Sequence, residues 1–213
     1  MSGDAFEIVP CGDDAFRVLC GPGAVRHALA DRLRGTGEWV SVVVGIRNVT
    51  VEYDPHAERG FEASERLKDI IATPGVSAVA VGRHHVLEAE FGGLAGPDLD
   101  ALADRLGVTE AELVERIEGS KLEVDMLGFT PGFAYVAGLD ASLEAERLAN
   151  PRQRVDAGSI GLITGQIGLY ALAGPAGWPI VGRVLQPLFD RSAADPFVLK
   201  AGDTLTLRGP RVP

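Results

Sequence analysis

Residues 159–185 read SIGLITGQIGLYALAGPAGWPIVGRVL. Three short apolar runs, Ser159–Ile163, Gly168–Leu172 and Ile180–Leu185, are separated by glycine and proline. Runs this short are strand-sized, and the residues between them are turn formers, so the stretch predicts successive strands of a small barrel or sandwich. Working outward, Leu122–Leu127 and Thr204–Arg208 read the same way. Upstream the period changes to that of helices. Leu99, Leu102, Ala103 and Leu106 form one apolar stripe, ended by Gly107, and Thr109-x-x-Glu112 is a capping box that opens a second helix carrying Leu113, Val114 and Ile117.

The first part of the chain is patterned differently. Residues 1–88 hold 10 of the 27 glycines and 4 of the 13 prolines, which predicts a conventional α+β domain over 1–88 and a turn-rich domain over 89–213. In the first domain Ala15–Cys20 alternates as a strand, and Val25, Ala28, Leu29 and Leu33 mark a helix face. Trp39–Val44 and Asn48–Tyr53 form a hairpin across Gly45-Ile46-Arg47, while Ala63, Leu67, Ile70 and Ile71 mark a second helix. Val76–Val81 is the closing strand, and His85–Phe91 extends the strand pattern across the boundary. The order β-α-β-β-α-β is the ferredoxin-like arrangement.

Composition narrows the function. Of 213 residues 46% are hydrophobic, enough for a real core, and the net charge is −10. That field repels phosphate backbones and anionic lipid, which argues against nucleic-acid and membrane-surface partners. The start, MSGDAFEIV, has neither the basic nor the apolar region of an export signal, and no apolar run reaches the ~18 residues needed to span a bilayer. Cys11 and Cys20 are therefore expected as reduced thiols in a cytoplasmic protein.

Three apparent motifs dissolve on physical grounds. LADRLGVTEAELVERI (102–117) has the cadence of a helix-turn-helix, but its second helix carries Glu110, Glu112, Glu115 and Glu118 against Arg116 alone, and carboxylates are repelled between phosphates. His84-His85 are strand neighbours that point to opposite faces, and no His or Cys spacing typical of a metal site occurs elsewhere. Ala157-Gly158-Ser159-Ile160-Gly161 has the look of a nucleophile elbow, yet strand-like residues follow it where a helix is required.

The dense region is 127–191. Phe129, Phe133, Tyr135, Tyr170 and Trp178 are placed to wall a pocket, and the glycines among them permit close backbone approach to a ligand. Arg152 and Arg154 are two apart and share a face on an extended segment, where two guanidiniums grip a carboxylate or phosphate. Ser159 and Gln166 add directional hydrogen bonds. The competing interpretation, of equal weight on these residues alone, makes the aromatics core and has the arginines bridge surface carboxylates.

LGFTPGFAY, PRQRVDAGSIG, GQIGLY and AGWPIVGR, in this order and spacing, resemble the allophanate hydrolase subunit 1 family, which includes the B-type subunit of bacterial ATP-dependent 5-oxoprolinase and the Kip-type kinase inhibitors. The likeness reaches upstream through FGGLAGPDLDALADRLGVTEAELVERI to GIRNVTV, nearly the whole chain. It implies a cyclophilin-like, carboxyltransferase-related barrel after the α+β domain. It also implies a larger partner subunit of the same barrel superfamily (allophanate hydrolase subunit 2, or the C-type subunit of oxoprolinase) and a third, lactam-utilisation subunit. The function implied is that of a hydrolase subunit: the complex opens the lactam of 5-oxoproline to glutamate at the expense of ATP, with ATP entering through the complex and no metal or covalent cofactor held by this chain. A Kip-type inhibitory or binding module is the alternative. The signature residues carried over are Phe129, Pro131, Phe133, Tyr135, Arg152, Arg154, Ser159, Gln166, Tyr170, Trp178 and Arg183, with no catalytic residue assigned. The chain departs from the family pattern at Ile117 (commonly His), Leu122 (Tyr), Ile167 (Thr), Asp156 (Pro) and Ala171 (Pro), which costs proton-transfer and hydrogen-bonding capacity.

Overall fold

The computed structural model describes residues 6–21, 23–73 and 82–209. The chain forms two compact units, residues 1–80 and 81–213.

In the first unit β1 (Glu7–Pro10), β2 (Ala15–Leu19), α1 (Gly23–Thr36), β3 (Ser41–Val44), β4 (Asn48–Glu52) and α2 (Gly60–Ala72) follow one another. The sheet order is β1-β2-β4-β3 and every pairing is antiparallel. Alternation in β2 and β4 sends Phe16, Val18, Val49 and Val51 inward, where they meet Leu29 and Leu33 of α1 and Leu67 of α2. Tyr53 stacks on Phe16 with ring centroids 5.6 Å apart. Its hydroxyl donates to the carbonyl of Asp13 (2.6 Å). The ferredoxin-like order is not established. Its closing strand, Val76–Val81, lies outside the described residues, and the edge of the sheet beside β2 is taken by β1. That strand is mostly exposed and ends in Pro10, so it carries no alternation by which sequence could announce it.

In the second unit β5 (His84–Phe91), α3 (Leu99–Leu106), α4 (Glu110–Glu118), β6 (Leu122–Leu127), β7 (Ala134–Ala137), β8 (Arg152–Val155), β9 (Ser159–Ile163), β10 (Gln166–Leu169), β11 (Gly174–Ala176), β12 (Ile180–Val184) and β13 (Thr204–Arg208) follow in order. Seven of these strands close a barrel in the order β10-β7-β6-β13-β5-β12-β9, while β8 and β11 form a separate antiparallel ribbon. All barrel pairings are antiparallel except β13 against β5, which is parallel. The predicted domain boundary after residue 88 falls inside β5. Its residues 84–88 pair with β13 and its residues 89–91 with β12, so the whole strand belongs to the barrel.

The helix pair lies where its stripes predicted. Gly107 adopts the left-handed conformation that ends α3, and the Thr109 hydroxyl accepts the Glu112 N–H at the start of α4. Leu113 and Ile117 of α4 are fully buried in the barrel's main core with Leu162, Leu169 and Leu207. The helices thus serve as packing, and truncating any one of these leucines to alanine costs about 2–5 kcal/mol. His84 and His85 diverge as strand neighbours do: His84 Nδ1 pairs with Thr204 Oγ1, and His85 Nε2 with Asp203 Oδ2, each at 2.9 Å.

Candidate functional site

The aromatic residues form a cluster of their own. Phe133 precedes β7, Tyr135 lies in it, Tyr170 follows β10 and Trp178 precedes β12. Phe133 is edge-on to Tyr135 and to Tyr170 at 4.8 Å and to Trp178 at 6.0 Å. Gly161 of β9 and Gly168 of β10 are register partners beneath these rings. A Cβ on Gly168 would stand 2.5 Å from Phe133 and 2.9 Å from Trp178, and one on Gly161 would stand 3.2 Å from Trp178. The close approach these two glycines permit is therefore to the protein's own rings rather than directly to a ligand.

Of the five predicted polar residues outside the aromatics, Arg152, Arg154, Ser159 and Arg183 line one cavity of about 270 Å³, together with Asp156 and Ile180. Arg152 and Arg154 do share it, but their states differ. Arg152 makes a two-pronged pair with Asp98, Nη1 to Oδ2 and Nη2 to Oδ1, both 2.7 Å. The same carboxylate accepts the Ile180 N–H at 2.6 Å, and the Asp98 N–H donates to the Ile180 carbonyl at 3.0 Å. This carboxylate neutralises Arg152 and ties β8 to the start of α3 and to β12. Arg154 is exposed and makes no ion pair among the described residues. Arg183 stands 3.7 Å from Asp156 and 3.9 Å from Glu90, long contacts that leave donors available. Ser159 is buried at 4% exposure.

The predicted aromatics line a second cavity of about 100 Å³, formed by Phe129, Phe133, Tyr135, Tyr170 and Trp178 with Arg147 and Gly177. Burial pushes both tyrosine hydroxyls above their ordinary pKa, the Arg147 guanidinium pulling weakly the other way, so both are protonated donors near neutral pH. The Arg147 guanidinium lies 6.0 Å from the Trp178 ring centre. Phe129 is exposed and has φ of 65°, the one non-glycine among the described residues in the left-handed region. Its turn is held by the Gly128 N–H to Phe133 carbonyl bond (3.1 Å) and its ring by Phe133, 5.5 Å away. Such strain at a cavity rim is typical of functional sites. Val155 and Ile180, which line the arginine cavity, pack in the same apolar cluster as these rings, so one cluster backs both cavities.

The single cleft expected from sequence is thus two cavities. Gln166 is in neither: it opens β10 opposite Ile163 and Ala137. Of the departures from the family pattern, Ile117, Leu122, Ile167 and Ala171 are in the core and line neither cavity. Asp156 alone is at a cavity, beside Arg183. Sequence reasoning missed Asp98 and Arg147. Asp98 is 54 positions from its partner Arg152, and Arg147 lies in a stretch with no periodic signal.

The closed barrel with its two cavities lies in a chain of carboxyltransferase type: the family described as carboxyltransferase domain, subdomain C and D, matches residues 6–199. The chain belongs to this family. Among its relatives, the B-type subunit of the Haemophilus influenzae 5-oxoprolinase is 34% identical over 207 residues, covering 93% of this chain and 95% of that one. The solved structure of TTHA0988 superposes with a TM-score of 0.74 at 26% identity, over 94% of this chain and 40% of that longer one. The urea amidolyase of Kluyveromyces lactis shares the fold, with a TM-score of 0.79 at 16% identity over 97% of this chain and 15% of its own.

Proposed function

We propose that this chain is the B-type subunit of a heteromeric, ATP-dependent 5-oxoprolinase. Its partners in this reading are a larger subunit of the same barrel superfamily and a third, lactam-utilisation subunit, and ATP enters through the complex. The observation that carries the reading is the 34% identity to the B-type subunit of a 5-oxoprolinase across almost the full length of both chains. It also favours the hydrolase over the inhibitor alternative. Two free thiols suit a cytoplasmic setting, and no helix among the described residues is long and apolar enough to cross a membrane.

The net reaction breaks the ring C–N bond and joins a water oxygen to the former lactam carbon. The nitrogen takes a proton to become the amine of glutamate, and the terminal phosphoanhydride of ATP is hydrolysed. In this scheme Arg154 and Arg183 are the charges offered to an anionic group, carboxylate or phosphoryl, with Ser159 as a neighbouring donor. Arg152 positions β8 through Asp98 instead of gripping the anion itself. In a mixture with the cognate larger and third subunits, this chain should be required for ATP hydrolysis that depends on 5-oxoproline. Replacing Arg154 and Arg183 together by Ala should lower turnover about tenfold or more while the subunits still co-purify. Full turnover in the absence of this chain overturns the reading.

A further inference from the structure

We propose that the aromatic cavity is the seat of a compact cyclic amide, whose carbonyl oxygen accepts hydrogen bonds from Tyr135 and Tyr170 and whose carboxylate pairs with Arg147. Naming the ligand class rests on the oxoprolinase reading; the existence of the subsite rests on the cavity itself.

Its wall is a set of donors without protein acceptors. Tyr170 is 3% exposed and Trp178 5%, yet neither the Tyr170 hydroxyl, the Tyr135 hydroxyl nor the Trp178 indole N–H makes a hydrogen bond among the described residues. These polar atoms face the open space of the cavity and are not sealed in the core, so they are donors free to meet an acceptor that enters it. Arg147 adds a guanidinium whose one described partner is the face of Trp178, 6.0 Å away. Among the described residues no carboxylate lines this cavity, in contrast to the arginine cavity with its Asp156. Both phenols line the one cavity, and both rings pack edge-on against Phe133 at 4.8 Å. At roughly 10–15 Å³ for each water it could hold, a cavity of about 100 Å³ takes a handful of heavy atoms, a five-membered ring and not a nucleotide. Rings set edge-on around it suit a flat, weakly polar body with oxygen at its edge. The ligand chemistry that satisfies all of this is a small lactam bearing an acid group, and the arginine cavity is then left for a phosphoryl group.

The full chain in a Trp39→Phe background has Trp178 as its one remaining tryptophan, so Trp178 emission reports on this cavity. Titration with 5-oxoproline should give a saturable change. 2-Pyrrolidinone, which lacks the carboxylate, should bind about tenfold more weakly, and proline, which lacks the ring carbonyl, should give no response. Tyr170→Phe removes only an unpaired hydroxyl and should weaken both lactams about three- to tenfold. Arg147→Gln should weaken 5-oxoproline about tenfold but leave 2-pyrrolidinone within about twofold. In the assembled complex the same Arg147→Gln should raise KM for 5-oxoproline and leave KM for ATP unchanged. No response to either lactam, or affinities unaltered by both substitutions, overturns the subsite. A complex that turns over 5-oxoproline with an unchanged KM in Arg147→Gln removes the subsite and leaves the function standing. Lactam binding with this mutational pattern, in a complex that does not hydrolyse 5-oxoproline, keeps the subsite and removes the function.

Discussion

The two cavities of the barrel unit are backed by one apolar cluster but are built on opposite principles. The larger is lined by three arginines in three states: Arg152 is paired tightly with Asp98, Arg183 makes only long contacts with Asp156 and Glu90, and Arg154 makes no ion pair among the described residues. The smaller has a single guanidinium, and its polar edges are unpaired. One of the cations that stand out in the sequence, Arg152, is thus spent on holding elements in place, whereas most of the open donors of the smaller cavity come from residues whose apolar bodies read as core. Counting charges along the chain locates the frame of the site; counting unpaired donors locates the space a ligand would fill.

The comparison can be broken at its frame first. Asp98→Ala leaves the Arg152 guanidinium and the Ile180 N–H without their acceptor. Breaking a buried pair costs about 3–5 kcal/mol, and Arg152 is partly solvated, so a loss near the lower end, about 3 kcal/mol, is expected in urea unfolding. Asp98→Asn keeps an acceptor for the N–H and should lose clearly less. The aromatic cavity is tested next with Gly168→Ala. The added methyl meets Phe133 and Trp178 well inside contact distance, so about 1–3 kcal/mol of stability should go, seen as a lower Tm, together with a blunted Trp178 response to lactam. If the Tm is unchanged, the rings do not rest on this glycine as described.

A smaller effect sharpens the contrast through pH. Tyr135 and Tyr170 hold their protons more tightly in the folded chain because burial disfavours the phenolate. The unfolded chain releases those protons from about pH 10, so the stability they contribute is present below that value and is lost as pH rises toward the folded values. Alkaline unfolding should therefore be less steep in Tyr170→Phe than in the parent chain, and identical curves would mean that the phenol is not buried. The smallest expected change is at Arg154. With no partner to lose among the described residues, Arg154→Ala should alter stability by no more than about 0.5 kcal/mol while still lowering turnover of the assembled complex. Destabilisation comparable to that of Asp98→Ala would show that Arg154 is also part of the frame.

How much of this was legible in the sequence follows from how local each signal is. α3 and α4 were readable almost to the residue because Gly107 and Thr109-x-x-Glu112 are punctuation for adjacent backbone groups. β6, β9, β12 and β13 were readable as apolar runs between turns. β10 begins two residues earlier than expected, at Gln166, because the Thr164-Gly165 turn is tighter than the run Gly168–Leu172 suggested. β7, β8 and β11 were not anticipated. β8, RQRV, is polar with two exposed positions and pairs only with the three-residue β11, so no buried face patterns it. In the site, the neighbours Arg152 and Arg154 could be placed together from their spacing. Their division of labour could not, since it is decided by Asp98, which arrives from a distant loop. Arg147 sits in an irregular segment and acquires meaning only when the chain brings Gly177 and Trp178 beside it.

The parallel pairing of β5 with β13 has a consequence for biosynthesis. The seam of the barrel joins residues 84–88 to residues 204–208, with all other barrel strands between them in sequence. A ribosome that has emitted six of the seven strands still holds an open sheet with two bare edges, and it closes only when Thr204–Arg208 emerges. Closure between such distant segments is slow, and open edges in the meantime invite wrong pairing. The nascent second unit is thus most vulnerable to aggregation in the interval before that seventh strand leaves the exit tunnel.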